Sequence, residues 1–322
     1  MANENSTDMT HRLIRCVTGE ETYCLKRTVV AGIERLERLE RSYGDNLVVG
    51  WMPGVDTRIP VYSLAARLAR TQPTMNIDNR IIVVNAESCT YGLLVDKVSD
   101  AFEITDKDIH PLPPVLAGAA SYFEGIAWAG DRLLLCLAPD QLHREGSATS
   151  VSSTTMESFP EASQTVVDAA TAAKRKSQLL TFGMAAEIVD EFTLGLSLTQ
   201  VMEILEPAPL VPVPGAPDYV LGLANWRRNP VPVIDLKSRF GLTLSPEIPQ
   251  MAKSSCRMLI ARAPRSSQLC GFLIQPNPKT HSLPIPHEPC ENEFPVPRIL
   301  VRGVFELENE VLVLPDLDRM IA

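Results

Sequence analysis

The feature that most constrains this chain is that it is written twice. Leu47-Val48-Val49-Gly50 recurs as Tyr219-Val220-Leu221-Gly222, a shift of 172 residues. The same shift lays Pro60 on Pro232, Ser63 on Asp235, Leu64 on Leu236 and Arg67 on Arg239. Gly92-Leu93-Leu94-Val95 answers Gly271-Phe272-Leu273-Ile274, Gly125 answers Gly303, and Leu133 to Leu142 answers Val311 to Met320. A repeat kept across that length is one fold used in tandem. At 322 residues each copy has ordinary domain size. The expected organisation is a disordered lead at 1–10, a first domain at 11–144, a flexible Ser/Thr/Ala-rich linker at 145–177 and a second domain at 178–322.

The second copy carries the clearest local pattern. Tyr219 to Leu223 reads as a strand, Asn225 to Asn229 as a polar, basic turn, and Val231 to Ile234 as a return strand. Asp235 is placed to cap one helical turn. Leu236 and Phe240 share a face of that turn, and Gly241 ends it in the left-handed conformation. Pro230 and Pro232 donate no backbone hydrogen bond, so their strand is expected at a sheet edge or a bulge. In the first copy Ser63 is the cap, with Leu64 and Leu68 as the buried pair.

This pattern resembles the CheW family of chemosensory coupling proteins. The residues that carry the resemblance are Gly222, Asn225, Arg227, Pro232, Asp235, Leu236 and Gly241, and in the first copy Gly92-Leu93-Leu94-Val95-Asp96-Lys97-Val98. It covers most of 11–144 and 178–322. The copies depart from the family at different places. The first has Pro53 and Val55 where the second has Asn225 and Arg227. The second has Gln275-Pro276-Asn277 where the first has Asp96-Lys97-Val98. The family has Gly after its Arg, and Arg228 stands there. A left-handed backbone is strained at a non-glycine residue, so this loop is expected to be reshaped.

Elsewhere, many short strands with close turn signals indicate an all-β class. The resemblance implies two small five-stranded SH3-like barrels per domain, with short helical turns. Leu13–Val17 and Thr22–Leu25 pair around Gly19-Glu20-Glu21. Arg80–Asn85 and Tyr91–Val98 are strands about a Glu87–Thr90 turn, and Gly125–Cys136 is a hairpin about Ala129-Gly130-Asp131. Thr28 to Glu40 follows a helical step through Val29, Ile33, Leu36 and Glu40, with Glu34, Glu37, Arg38 and Arg41 as charged neighbours, so a helix is expected there. Val166 to Ala173 reads as a helical turn or two. Leu179–Phe182, Phe192–Leu196 and Val201–Leu205 open the second domain, and prolines 207 to 217 impose an extended path. Arg257–Ala261 pairs with Leu269–Ile274. Residues 276–297 hold seven prolines and are expected to form an irregular loop.

Chemistry is sparse. There is no phosphate loop, no G-x-S-x-G elbow and no H-E-x-x-H. His281, His287, Glu288 and Cys290 match no common zinc spacing, and His110 and His143 have no catalytic partner in the sequence. Seven cysteines without a C-x-x-C pair read as reduced core residues. No metal, cofactor or enzymatic activity is expected. A net charge of −9 and 6% aromatic content argue against a small-barrel nucleic-acid binder, the main alternative. No apolar run reaches membrane-span length and Met1–Thr10 has no signal-peptide core. A cytoplasmic protein recruited to receptor arrays at the membrane is expected.

The resemblance implies a non-enzymatic adaptor coupling chemoreceptor tips to the regulatory domain of a CheA-like histidine kinase. Other CheW-like proteins are further candidate partners, and an adaptor that has lost kinase binding is the alternative within the class. The expected contact residues are Arg227, Asn225, Trp226, Arg228, Val220 and Asp96. The residues leave Trp226 open between core and anchor, and Asp96 between turn brace and partner contact. Two modules on a short flexible tether give the second contact a roughly millimolar effective concentration.

Overall fold

A computed structural model describes residues 9–41, 48–54, 57–69, 75–144, 178–184, 192–242, 256–283, 288–289, 296–307 and 310–322. Residues 1–8 of the expected lead at 1–10, the linker at 145–177 and the helical turns at 166–173 lie outside them; Thr10, placed in that lead, instead opens the first strand. The chain divides into two units, Met1–Thr149 with Val213–Ala216, and Ser150–Pro212 with Pro217–Ala322.

The first unit runs β1 (Thr10–Thr18), β2 (Glu21–Lys26), β3 (Val30–Arg35), β4 (Glu40–Arg41), β5 (Val48–Pro53), β6 (Arg58–Ser63), α1 (Leu64–Ala69), β7 (Arg80–Asn85), β8 (Thr90–Val95), β9 (Lys97–Thr105), β10 (Ile109–His110), β11 (Phe123–Ala129), β12 (Arg132–Leu137) and α2 (Pro139–Leu142). These make two sheets, ordered β10-β11-β12-β2-β1-β9 and β3-β7-β8-β6-β5-β4. Each is antiparallel apart from one parallel pair, β12 with β2 and β6 with β8.

The second unit repeats the plan with β13 (Gln178–Phe182), β14 (Phe192–Ser197), β15 (Val201–Leu205), β16 (Val220–Trp226), β17 (Asn229–Ile234), α3 (Leu236–Arg239), β18 (Arg257–Arg262), β19 (Leu269–Ile274), β20 (Lys279–Ser282), β21 (Glu288–Pro289), β22 (Val301–Leu307), β23 (Glu310–Pro315) and α4 (Leu317–Met320). Its sheets are β20-β13-β14-β23-β22-β21 and β15-β18-β19-β17-β16. Strand for strand these are the orders of the first unit. The repeat in the sequence is therefore a repeat of topology, and the fold is all-β as expected. Each sheet has the five expected strands, and three of the four add a two-residue strand at one edge.

The short helices behave as their caps dictate. Asp235 accepts from the backbone N–H groups of Lys237 and Ser238, and Ser63 Oγ accepts from Ala66 N at 3.1 Å. Leu236 and Phe240 are buried, as are Leu64 and Leu68. Gly241 has φ +74°. Arg67, only 6% exposed, donates from α1 to the carbonyls of Leu142 (2.6 Å) and Arg144, the end of the other sheet's chain. Arg239 repeats this on Arg319 O at 2.6 Å. In each unit an arginine of the short helix thus ties together the segments that follow the two parallel strand pairs.

Three expectations are corrected. Thr28 to Glu40 is not a helix but a single turn at Arg27–Val29, the strand β3, a turn at Leu36–Arg38 and β4. The Glu34–Arg38 ion pair that suggested a helix exists at 3.3 Å, but β3 is claimed by pairing with β7. That pairing turns Ile33 outward (46% exposed) and buries Val30. The strand with Pro230 and Pro232, β17, is interior rather than at an edge. It is tolerated because the parallel pairing with β19 involves only Val233 and Ile234, beyond the prolines. The bulge lies in its neighbour, between Val220 and Gly222. Finally, within 276–297 the strand β20 pairs with β13 from Gln178↔Ser282 to Thr181↔Lys279, where an irregular loop was expected.

Candidate partner-binding site

The site is built where one sheet closes on itself. β15 and β16 are the two ends of the five-stranded sheet and share no backbone ladder. Glu203, the single acidic residue of β15, reaches across that gap. Its Oε2 accepts from Trp226 Nε1 at 2.6 Å and pairs with Arg227 Nη2 at 3.0 Å. The Arg227 guanidinium also lies 5.2 Å from the centre of the Trp226 ring, within cation–π range. One carboxylate therefore closes the barrel and aims the arginine.

Arg227 and Arg228 are the two central residues of the β16–β17 hairpin, between the last pair, Trp226 and Asn229. Their φ values are +52° and +61°, the signature of a type I′ turn, which matches the strand twist but favours Asn and Gly. A residue with a Cβ costs about 1–2 kcal/mol in this region. The loop is thus not reshaped, as was expected from Arg228; it keeps the strained turn. Side-chain bonds hold it: Asn225 Oδ1 accepts from Arg228 N at 3.1 Å, and Asn229 Nδ2 donates to the carbonyls of Trp226 (3.3 Å) and Arg227 (3.1 Å).

Trp226 belongs to the core. It is 9% exposed and packs in a cluster with Leu221, Ala224, Val231, Val233, Met258 and Ile260. Its indole N–H is its polar handle at the rim. Val220 is half-buried at the base of the same hairpin. Gly222, with φ +146°, sits where a Cβ would lie 2.7 Å from Val211 O, so glycine is required for that close approach. On β15 the neighbours of Glu203, Met202 and Ile204, are exposed.

Asp96 lies elsewhere, in the first unit between β8 and β9, where the chain passes from one sheet to the other. Its carboxylate accepts from Gly19 N at 2.7 Å and from the buried Asn79 Nδ2 at 3.1 Å, and its own N–H bonds Val17 O at 2.9 Å. It braces the β1–β2 turn against the second sheet. The structure thus brings Asn225, Trp226, Arg227, Arg228 and Val220 onto one hairpin and places Asp96 in a structural brace.

Sequence reasoning missed Glu203 and Asn229. The signal for Glu203 was a lone carboxylate in the apolar strand Val201–Leu205. The first unit has neither half of the device. Pairing places Gly32 opposite Val83 just as Glu203 stands opposite Ile260, and Gly54 takes the place of Trp226. Positions 55 and 56 lie outside the described residues.

The CheW-like domain family matches residues 12–146 and again 178–322. The chain belongs to the CheW-like family. It carries two such domains in tandem. It is 31% identical over 87 residues to the chemotaxis protein CheW of Helicobacter pylori, covering 27% of this chain and 48% of that protein. It is 32% identical over 79 residues to chemotaxis protein CheW of Rhizobium meliloti, covering 24% of this chain and 51% of that one. The chain thus spans about half the length of the curated relatives it matches. Among solved structures, the scaffolding protein TtCheW from Thermoanaerobacter tengcongensis aligns with 45% of this chain and 95% of its own, at 23% identity and a TM-score of 0.39.

Among the described residues no group of three or more His, Cys, Asp or Glu is arranged to hold a metal ion. His281 Nε2 is 2.9 Å from Thr181 Oγ1 and His143 Nε2 is 3.3 Å from Ser88 Oγ; His287 and Cys290 lie outside the described residues. The core thiols are held protonated: burial pushes Cys16 up to about 12 and raises Cys270 further. No helix among the described residues is long and apolar enough to cross a membrane.

Proposed function

We propose that this chain is a non-enzymatic, two-domain scaffold of the chemosensory type that couples chemoreceptor tips to the regulatory domain of a CheA-like histidine kinase. Family membership over both halves supports the class. The observation that carries the site is the Glu203–Trp226–Arg227 closure, which fixes an exposed guanidinium (side chain 69% exposed) at a rigid hairpin tip. Planar guanidinium groups suit bidentate recognition of carboxylates.

The first domain lacks this closure, so the two halves divide the work. The second carries the charged contact, and the first holds a different partner or a different face of the same one. Co-sedimentation of the full chain with a kinase regulatory domain and with a receptor-tip fragment tests this. The proposal expects a complex with at least one of them, weakened by Arg227→Ala. No complex with either would overturn it.

A further inference from the structure

In the first unit the sheet β10-β11-β12-β2-β1-β9 is joined at its middle by a short parallel ladder. β12 meets β2 at two positions, Leu135 with Tyr23 and Cys136 with Cys24. The two cysteines therefore stand directly opposite each other where the halves of the sheet meet. Their Sγ atoms are 3.3 Å apart. Cys24 is fully buried and Cys136 is 5% exposed, in a core cluster with Leu13, Ile104, Ala127 and Leu134. Neighbouring strands lie about 4.8 Å apart, inside the span of about 4.4–6.8 Å between Cα atoms that a disulfide bridges. The sulfurs need close by only about 1.3 Å to reach bonding distance. The fold does not require two thiols here. In the second unit the matching ladder runs from Phe192 with Val311 to Leu194 with Val313, so the equivalent rung falls at Gly195 and Leu314. There a single leucine fills the space: a Cβ on Gly195 would lie 2.8 Å from Leu314 Cδ2.

We propose that Cys24 and Cys136 are a modification site, oxidised by a hydroperoxide to a reversible disulfide that locks β2 to β12. Cys136, the more accessible of the two, gives up its proton and its sulfur attacks one peroxide oxygen. The O–O bond breaks, and the leaving oxygen takes that proton away, as water when the oxidant is hydrogen peroxide. The Cys24 sulfur then displaces hydroxide from the resulting sulfenic acid, and the Cys24 proton leaves with it as water. The two thiols together lose two electrons and the peroxide gains them. The Cys24 thiol is held protonated by its bond to Cys136 and by burial, so the reaction starts at Cys136 and is slow beside that of an open thiol. In a reducing compartment the bond is transient and records the presence of oxidant. It ties residues 112 apart in sequence, which restricts the unfolded chain and stabilises the closed sheet.

The test treats the folded full-length chain with hydrogen peroxide, blocks the remaining thiols with N-ethylmaleimide in urea, and maps the peptides without reductant. A peptide linking Cys24 to Cys136 is expected from the wild type and from Cys89→Ser, which removes the exposed thiol. Dithiothreitol should release it. The same treatment of chain already unfolded in urea should give mixed pairings, because the folded sheet no longer selects the partner. The oxidised chain should unfold at a urea concentration higher by about 1 M or more than the reduced one. Three results overturn the proposal: no linked peptide at a peroxide concentration that fully oxidises Cys89, sulfinic acid at Cys24 or Cys136 in place of the link, or pairing of either with Cys16 instead. A linked chain that unfolds at no higher urea concentration than the reduced chain overturns the locking of the sheet.

Discussion

Replacing Glu203 separates the two bonds on which the site depends. Glu203 Oε2 holds Trp226 Nε1 at 2.6 Å and Arg227 Nη2 at 3.0 Å. The first is a charge-assisted bond from an indole that is 9% exposed, worth roughly 1.5–3 kcal/mol. The second joins side chains that are 69% and 36% exposed, so solvent screening holds it below about 1 kcal/mol. Glu203→Gln keeps an oxygen for the indole and loses only the ion pair, for a cost under about 1 kcal/mol. Glu203→Ala also strands the indole N–H and is expected to cost about 2–3 kcal/mol. Urea unfolding of the full chain, followed by circular dichroism, measures both. Trp226 is the only tryptophan of the second half, so its emission should change in Glu203→Ala more than in Glu203→Gln. Equal costs for the two variants, or a loss under about 0.5 kcal/mol in Glu203→Ala, would refute the closure argument.

Other consequences follow from the same structure. Arg67 is buried and bonded to the carbonyls of Leu142 and Arg144; Arg67→Ala should cost about 2–4 kcal/mol in urea unfolding, and more than Arg239→Ala, whose site is less buried. Burial alone would raise the Asp318 carboxyl, but hydrogen bonds from Ser266 and Arg265 reverse this and hold it below the usual range. A depressed folded pKa stabilises above the unfolded value and is lost as pH falls through the folded one, so Asp318→Asn should flatten the loss of stability below about pH 4 in an acid titration. Cys89 is the exposed thiol among the described residues, while Cys16, Cys24, Cys136, Cys256 and Cys270 are buried. Iodoacetamide followed by peptide mass mapping should label Cys89 in the native chain and the buried five only after unfolding.

The parts of this fold legible in sequence were those set by local chemistry. Asp235 and Ser63 announce their helical turns through a capping oxygen, and Gly130 and Gly241 mark left-handed turns whatever surrounds them. The misread segments were decided by distant partners. Residues 28–40 carry a helical spacing of apolar and charged groups, yet β7 claims Val30–Arg35 as a strand. The prolines of β17 argue for an edge, yet the strand is interior, because β16 pairs along its whole length and β19 pairs with it only past the prolines. At the site, Arg227 could be named from its motif, but Glu203 lies 24 residues earlier on a strand that meets the hairpin only when the sheet closes. Nor does a sequence show that Arg228 accepts a strained backbone rather than remodelling the turn.

The most direct test of the central claim is calorimetric titration of the full chain with a CheA-type regulatory domain and with a receptor-tip fragment, for wild type and Arg227→Ala. A fixed, exposed guanidinium that pairs with a partner carboxylate predicts binding to at least one probe, weakened by about tenfold or more in the variant. Affinities unchanged by Arg227→Ala for every probe bound would contradict the assignment of this hairpin tip as the contact site.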